Sequence, residues 1–150
     1  MTKTAQKACA EALSKVLADT YGLYLKTHNF HWNVEGPRFR SLHQLFEEQY
    51  QELWASIDEI AERIRALGQY APGTYAKFKA LATVKDNEGI PTATEMLREL
   101  VADNETVVKT IRAALPTIQK GGDEVSAGLL TDRLTVHEKQ LWMMRSILAD

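Results

Sequence analysis

Apolar residues recur at three- and four-residue steps over four long stretches of the chain and nowhere settle into strand-like alternation, so the periodicity predicts an all-α protein. The first stretch covers about residues 5–34, with Leu13, Leu17, Thr20, Tyr24, Thr27 and His31 on one stripe. In the second, Gly36-Pro37 breaks the chain, Pro37 suits the first turn of a new helix, and Gly68 stops it after Leu67. Phe39, Leu42, Phe46, Leu53, Ile57, Ile60, Ile64 and Leu67 form its apolar stripe over about 30 residues, roughly 45 Å of helix. The third begins at Thr92, whose Thr-x-x-Glu pattern with Glu95 reads as a capping box. It buries Leu97, Leu100, Val101, Val107, Val108, Ile111 and Leu115, is kinked by Pro116 and ends at Gly121-Gly122. Asp123 caps the fourth, which turns Leu130, Leu134, His137, Leu141, Met144 and Leu148 inward.

The stretch 69–91 carries only a short helical patch over residues 75–82. Antiparallel neighbours are joined by about 2 to 8 residues, so a connection this long runs the length of a bundle and leaves the helices on either side parallel. The architecture predicted is a ferritin-like four-helix bundle with a long crossover, carrying a short helix, between the second and third long helices. With 150 residues and no shift in composition, the chain is a single domain over 1–150.

The second helix has three faces. Beside the apolar stripe, Glu48, Glu52, Glu59 and Arg63 make a polar side. Between them runs a strip of His43, Glu47, Tyr50, Trp54, Asp58, Ala61 and Glu62, which mixes ligand-type side chains with large aromatics and so predicts a second, partly buried contact. His43 and Glu47 are one turn apart, as are Asp58 and Glu62, so each pair can offer two ligands to one metal. Roughly 22 Å of helix separates His43 from Asp58, which forbids one shared metal within a chain. Two copies of this helix packed antiparallel about a two-fold axis near residues 50 and 51 would place His43 of one level with Asp58 of the other. A two-fold dimer then assembles two identical sites from both chains. His31 points inward, where a lone histidine reads first as a hydrogen-bonded core residue, as His137 does among its leucines. Trp32 by itself reads as buried packing, and His28 as a flank or surface histidine.

Composition narrows the functions. Eighteen basic against 20 acidic residues, net charge −2, give no electrostatic reason for nucleic acid or an anionic membrane as the main partner. No apolar run is long enough to cross a bilayer and the first residues lack a signal-peptide core, so a cytoplasmic protein is expected. The single Cys9 excludes an internal disulfide framework and reads as a thiol without a role. No GxGxxG, Walker loop, GxSxG, CxxC or HExxH occurs, and no histidine has a glutamate three residues before it. The Glu-x-x-His pair that builds a di-iron site inside one ferritin-like bundle is therefore missing, and the ligand-rich strip faces a neighbour.

The segments NFHWNVEGPRFRSLH, DEIAERIRALG and HEKQLWMMRSIL resemble the Dps family of mini-ferritins over nearly the whole chain. The family's ferroxidase pattern, a histidine, a second histidine twelve residues on and Asp-x-x-x-Glu fifteen later, falls on His31, His43, Asp58 and Glu62. The carboxylate that members carry four residues after the second histidine is commonly Asp and here is Glu47, one methylene longer. The resemblance implies a hollow dodecameric shell that binds Fe(II) across the subunit two-fold, oxidises it preferably with hydrogen peroxide, stores ferric mineral and so protects DNA. Imidazole and carboxylate ligands also suit zinc or cobalt. Trp32, beside His31, is a candidate electron carrier; Glu48 and Glu52 are candidates for mineral nucleation. Asp123, Glu124 and Asp132 stand where the family forms acidic pores, although relatives often carry an aspartate at the place of Gly128. Direct DNA compaction is the alternative function, and it would make the protein nucleoid-associated. Strong DNA binders use a lysine-rich tail, whereas the first ten residues here hold only Lys3 and Lys7 and the chain ends at Asp150, so direct DNA binding is the weaker expectation.

Overall fold

A computed structural model describes residues 1–149 and contains five helices: α1 (Lys3–Asn33), α2 (Phe39–Ala66), α3 (Tyr75–Leu81), α4 (Ala93–Lys120) and α5 (Glu124–Leu148). The described residues contain no strand. Cross-links give the directions of the four long helices. His31 of α1 meets His43 of α2, and Tyr24 meets Tyr50, so these two are antiparallel. Lys26 of α1 pairs with Glu99 and Asp103 of α4, whereas Cys9 lies against Thr117, so α1 and α4 are antiparallel as well. α2 and α4 therefore run parallel, which is what the long crossover predicts.

The ends are set by local chemistry. Thr92 and Glu95 make the predicted reciprocal box, the Thr92 hydroxyl accepting from Glu95 N at 3.2 Å and the Glu95 carboxylate from Thr92 N at 3.0 Å. Thr2 caps α1, so that helix begins two residues before the expected start. α2 differs from expectation. Its N-cap is Arg38, and Pro37 lies in the preceding turn, closed by a 3.0 Å bond from Phe39 N to Gly36 O with Gly36 at φ 111°. Only glycine adopts that angle without strain. Phe39, expected in the core, is 44 % exposed and lies over the His43 ring instead, because the helix begins at that residue and leaves it at the end of the bundle.

The core contains Leu13, Leu17, Leu42, Phe46, Ile60, Ile64, Leu97, Leu100, Ile111 and Leu130. Val101, Val108, Leu115, Leu134 and Leu148 are only half-buried at its margin. Cys9 is buried where α1 meets the end of α4, and a Cβ at Gly121 would come within 2.9 Å of its sulfur. Burial raises the thiol's pKa above its ordinary value, which makes it a poor nucleophile.

Charges that periodicity alone does not reveal lie inside. Asp19 is fully buried on α1 and accepts hydrogen bonds from Thr83 N (2.5 Å), Val84 N (2.9 Å) and the Thr110 hydroxyl (2.6 Å). It thereby ties the crossover to α1 and α4. Lys26 sits 2.9 Å from both Glu99 and Asp103. Replacing Asp19 with Ala would strip the partner from two backbone N–H groups, a loss of about 1–3 kcal/mol for each one left unsatisfied. Hydrogen exchange of the Asp19→Ala variant should show Thr83 and Val84 losing protection before the core of α1 and α4 does.

Candidate metal centre

Two histidines converge where α1 ends and α2 begins. His31 is in the last turn of α1 and is 6 % exposed; His43, in the second turn of α2, is half-buried. Their rings stack with centroids 3.9 Å apart and planes 13° from parallel. Each ring donates its Nδ1–H to the backbone carbonyl of the other residue, at 2.7 Å in both directions. A neutral imidazole protonated at Nδ1 keeps its lone pair on Nε2, the form that binds a metal. The reciprocal bonds thus fix tautomer and orientation for both candidates at once.

The remaining candidates follow along α2. Glu47 is one turn beyond His43 and half-buried; Asp58 and Glu62 are exposed. A hydrogen bond with Asp58, reinforced by that residue's negative charge, holds the Glu62 carboxyl above its ordinary pKa. Two carboxyl groups brought together in this way offer a cation a site where it relieves their repulsion. Among the described residues, no three or more His, Cys, Asp or Glu side chains gather as a metal site within one chain. The histidine pair and the carboxylate pair lie apart on one chain, and each offers two donors. Their donors suit iron, and also zinc.

An aromatic cluster borders the histidines. Trp32 is 61 % exposed rather than buried packing, because it follows His31 on α1 and projects to the other side, with its ring 3.9 Å from His28. His28 is half-buried rather than a bare surface residue, stacked on Tyr50 at 3.9 Å with its Nδ1 3.2 Å from the Tyr24 hydroxyl. Burial, then the nearby His31, pushes the His28 pKa below its ordinary value. Sequence reading passed over this group, although Tyr24 and His28 stand one turn apart on α1.

Of the other candidates, some stand as expected and some acquire partners that spacing does not reveal. Glu52 forms a two-pronged ion pair with Arg133 of α5, at 2.5 and 2.8 Å, so its carboxylate is committed within the bundle while Glu48 stays exposed. Asp123 caps α5 through Ser126, as the sequence predicts, but is 2 % exposed and pairs with Arg63 at 2.7 Å. A carboxylate spent on a helix terminus and a guanidinium does not line a channel, which leaves Glu124 and Asp132, both exposed, as the pore candidates. His137 is a core residue, its Nδ1 2.9 Å from Asn104 Oδ1, with its pKa lowered to about 3 by burial and the neighbouring Arg133.

Residues 10–150 match the Ferritin family, described as a ferritin-like domain. DNA protection during starvation protein 2 of Bacillus anthracis is 37 % identical over 142 residues, covering 95 % of this chain and 97 % of that one. The chain belongs to the Dps family. A solved Dps structure from Bacillus brevis is similar at a TM-score of 0.94 and 35 % identity, covering 99 % of this Dps chain and 100 % of that one. The Dps protein of Vibrio cholerae, described as a member of a broad superfamily of ferritin-like diiron-carboxylate proteins, is similar at a TM-score of 0.95 and 30 % identity, over 99 % and 94 % of the two chains.

Two predictions concern the charges inside this Dps subunit. Glu52→Ala leaves the buried Arg133 guanidinium unpaired. A fully buried pair broken in this way costs about 3–5 kcal/mol; Glu52 keeps 37 % of its side-chain surface in water, so a loss on the order of 2 kcal/mol is expected in urea unfolding at fixed protein concentration. For Asp123, burial raises the pKa, but the hydrogen bonds from Ser126 and the Arg63 charge overcome it and hold the carboxyl below its ordinary value. A depressed folded-state pKa stabilises fully above the unfolded value, about 3.9, and the contribution is lost as pH falls from there through the folded pKa. Asp123→Asn should therefore be less stable than the parent at neutral pH, with the difference shrinking below about pH 4.

Proposed function

We propose that the protein is an iron-sequestering ferroxidase that oxidises Fe(II), preferably with hydrogen peroxide, and stores ferric mineral within a dodecameric shell. The observation that carries this reading is the reciprocal lock of His31 and His43, which presents two Nε2 lone pairs side by side, on the same chain as the Asp58/Glu62 pair at the family's spacing. Packing two α2 helices antiparallel about a two-fold axis brings the histidines of one subunit to the carboxylates of the other. Imidazoles supply neutral donors and carboxylates supply negative charge, a set that binds Fe(II) and stabilises Fe(III) more strongly. Glu47 is a further carboxylate on the histidine side.

Peroxide accepts two electrons, one from each of two Fe(II), and with two protons becomes two waters; consuming both reagents together removes the source of hydroxyl radical. The protection of DNA follows from that chemistry, and the protein acts in the cytoplasm in this reading. In this reading exposed Glu48 nucleates mineral, and exposed Glu124 and Asp132, in the first turns of α5, draw Fe(II) through an acidic pore, where a narrow low-dielectric passage concentrates cations.

The shared site is tested by complementation. His31→Ala/His43→Ala and Asp58→Ala/Glu62→Ala variants should each lose peroxide-dependent Fe(II) oxidation. Co-assembled, a mixed dimer keeps one complete site and loses both halves of the other. Activity should therefore return in part; mixed shells that recover none would overturn the intersubunit arrangement.

A further inference from the structure

Tyr24 and His28 stand one turn apart on α1, with the phenol 3.2 Å from His28 Nδ1. At that distance Nδ1 is the acceptor that faces the phenolic O–H. Neither residue belongs to the candidate ligands, yet a continuous set of rings joins them to His31. His28 stacks on Tyr50 at 3.9 Å and 13°, and Tyr50 sets its ring 5.1 Å from His31, edge to face. Tyr24 lies 6.3 Å from Tyr50 and 5.5 Å from Trp54, and beyond it Tyr21 stacks on Phe78 of α3. Hydrophobic packing does not require a phenol to be aimed at an imidazole nitrogen. A phenol surrenders an electron readily only when its proton leaves at the same time, and a hydrogen-bonded imidazole nitrogen is a base already in place.

We propose that Tyr24 and His28 form a proton-coupled electron donor to the iron site, with Tyr50 as the ring between them and His31. This rests on the ferroxidase reading and adds to it a way of handling a site that holds a single Fe(II). Such a site gives peroxide one electron, and the O–O bond would break to hydroxide and a free hydroxyl radical. Tyr24 supplies the second electron. In that step Fe(II), hydrogen peroxide, the Tyr24 phenol, neutral His28 and two protons from water give Fe(III), the Tyr24 phenoxyl radical, protonated His28 and two waters. The O–O bond breaks, one O–H bond of Tyr24 breaks, and its proton goes to His28 Nδ1. A second Fe(II) then reduces the phenoxyl, which takes back the proton from His28. The sum is two Fe(II) oxidised for one peroxide, and no radical leaves the protein.

The test is freeze-quench electron paramagnetic resonance of the assembled protein carrying one Fe(II) per site and mixed with hydrogen peroxide, alongside spin-trapping of hydroxyl radical. The parent should show a tyrosyl signal that Tyr24→Phe lacks. The variant should still oxidise Fe(II) but release several-fold more trapped hydroxyl radical. His28→Gln should keep Tyr24 while slowing formation of the signal. A readout without iron comes from flash oxidation of the metal-free shell with a ruthenium photo-oxidant. There the parent should form the tyrosyl radical with a solvent deuterium effect that His28→Gln removes. Tyr24→Phe deletes one oxygen atom, and unchanged circular dichroism and shell size show that it folds. An undiminished tyrosyl signal or an unchanged hydroxyl-radical yield in Tyr24→Phe overturns the donor. A parent that oxidises no Fe(II) overturns the ferroxidase reading instead.

Discussion

The register of α1 against α2 is the constraint on which the site depends. Two 2.7 Å bonds from imidazole to carbonyl cross between the helices in opposite directions, and a slip by one residue would break both. Each histidine orients the other through a backbone carbonyl, so no further side chain is needed to fix either tautomer. The same register brings Tyr24 and His28 to Tyr50 and so places the aromatic rings beside the histidines.

The bundle interior answers a different demand. A four-helix bundle can hold a metal among inward carboxylates, and this one does contain inward or half-buried carboxylates in Asp19, Asp103, Glu99 and Glu52. Each has a partner within the protein itself. Lys26 lies between Glu99 and Asp103, Arg133 clamps Glu52, and Asp19 holds the crossover through backbone N–H groups. Ammonium and guanidinium supply the positive charge that a cation would bring, and they make the interior a set of cross-links between helices. Breaking any one strands a charge in a poorly solvated place, so such pairs specify the arrangement of the helices more than they add net stability.

The Asp58/Glu62 pair lies at the surface of α2, together with Trp54, which is 61 % exposed. An exposed tryptophan beside two exposed acids is an unfavourable surface for an isolated chain and a reasonable one for an interface between copies. This exposed face, and the separation of the histidine pair from the carboxylate pair along α2, are the observations that support the proposed intersubunit site.

Much of this was legible in the sequence because helical periodicity is local. The four long helices, the short one in the crossover, the Thr92 box and the parallel relation of α2 and α4 follow from spacing, caps and loop length. So does the placing of His43 and Glu47 apart from Asp58 and Glu62. What spacing could not decide was how individual polar side chains are spent. Glu52 reads as a free acid on a helical wheel and Asp123 as a helix cap, yet Arg133 and Arg63, far away along the chain, pair with them. Trp32 read as packing and His28 as a flank, whereas helix phase and the approach of Tyr50 put one in solvent and the other in a stack. The reciprocal histidine bonds join residues twelve apart across a turn. A periodic pattern says which face a residue occupies; only the packed helices say which partner waits there, because pairing energy depends on distances of a few ångströms that no sequence interval encodes.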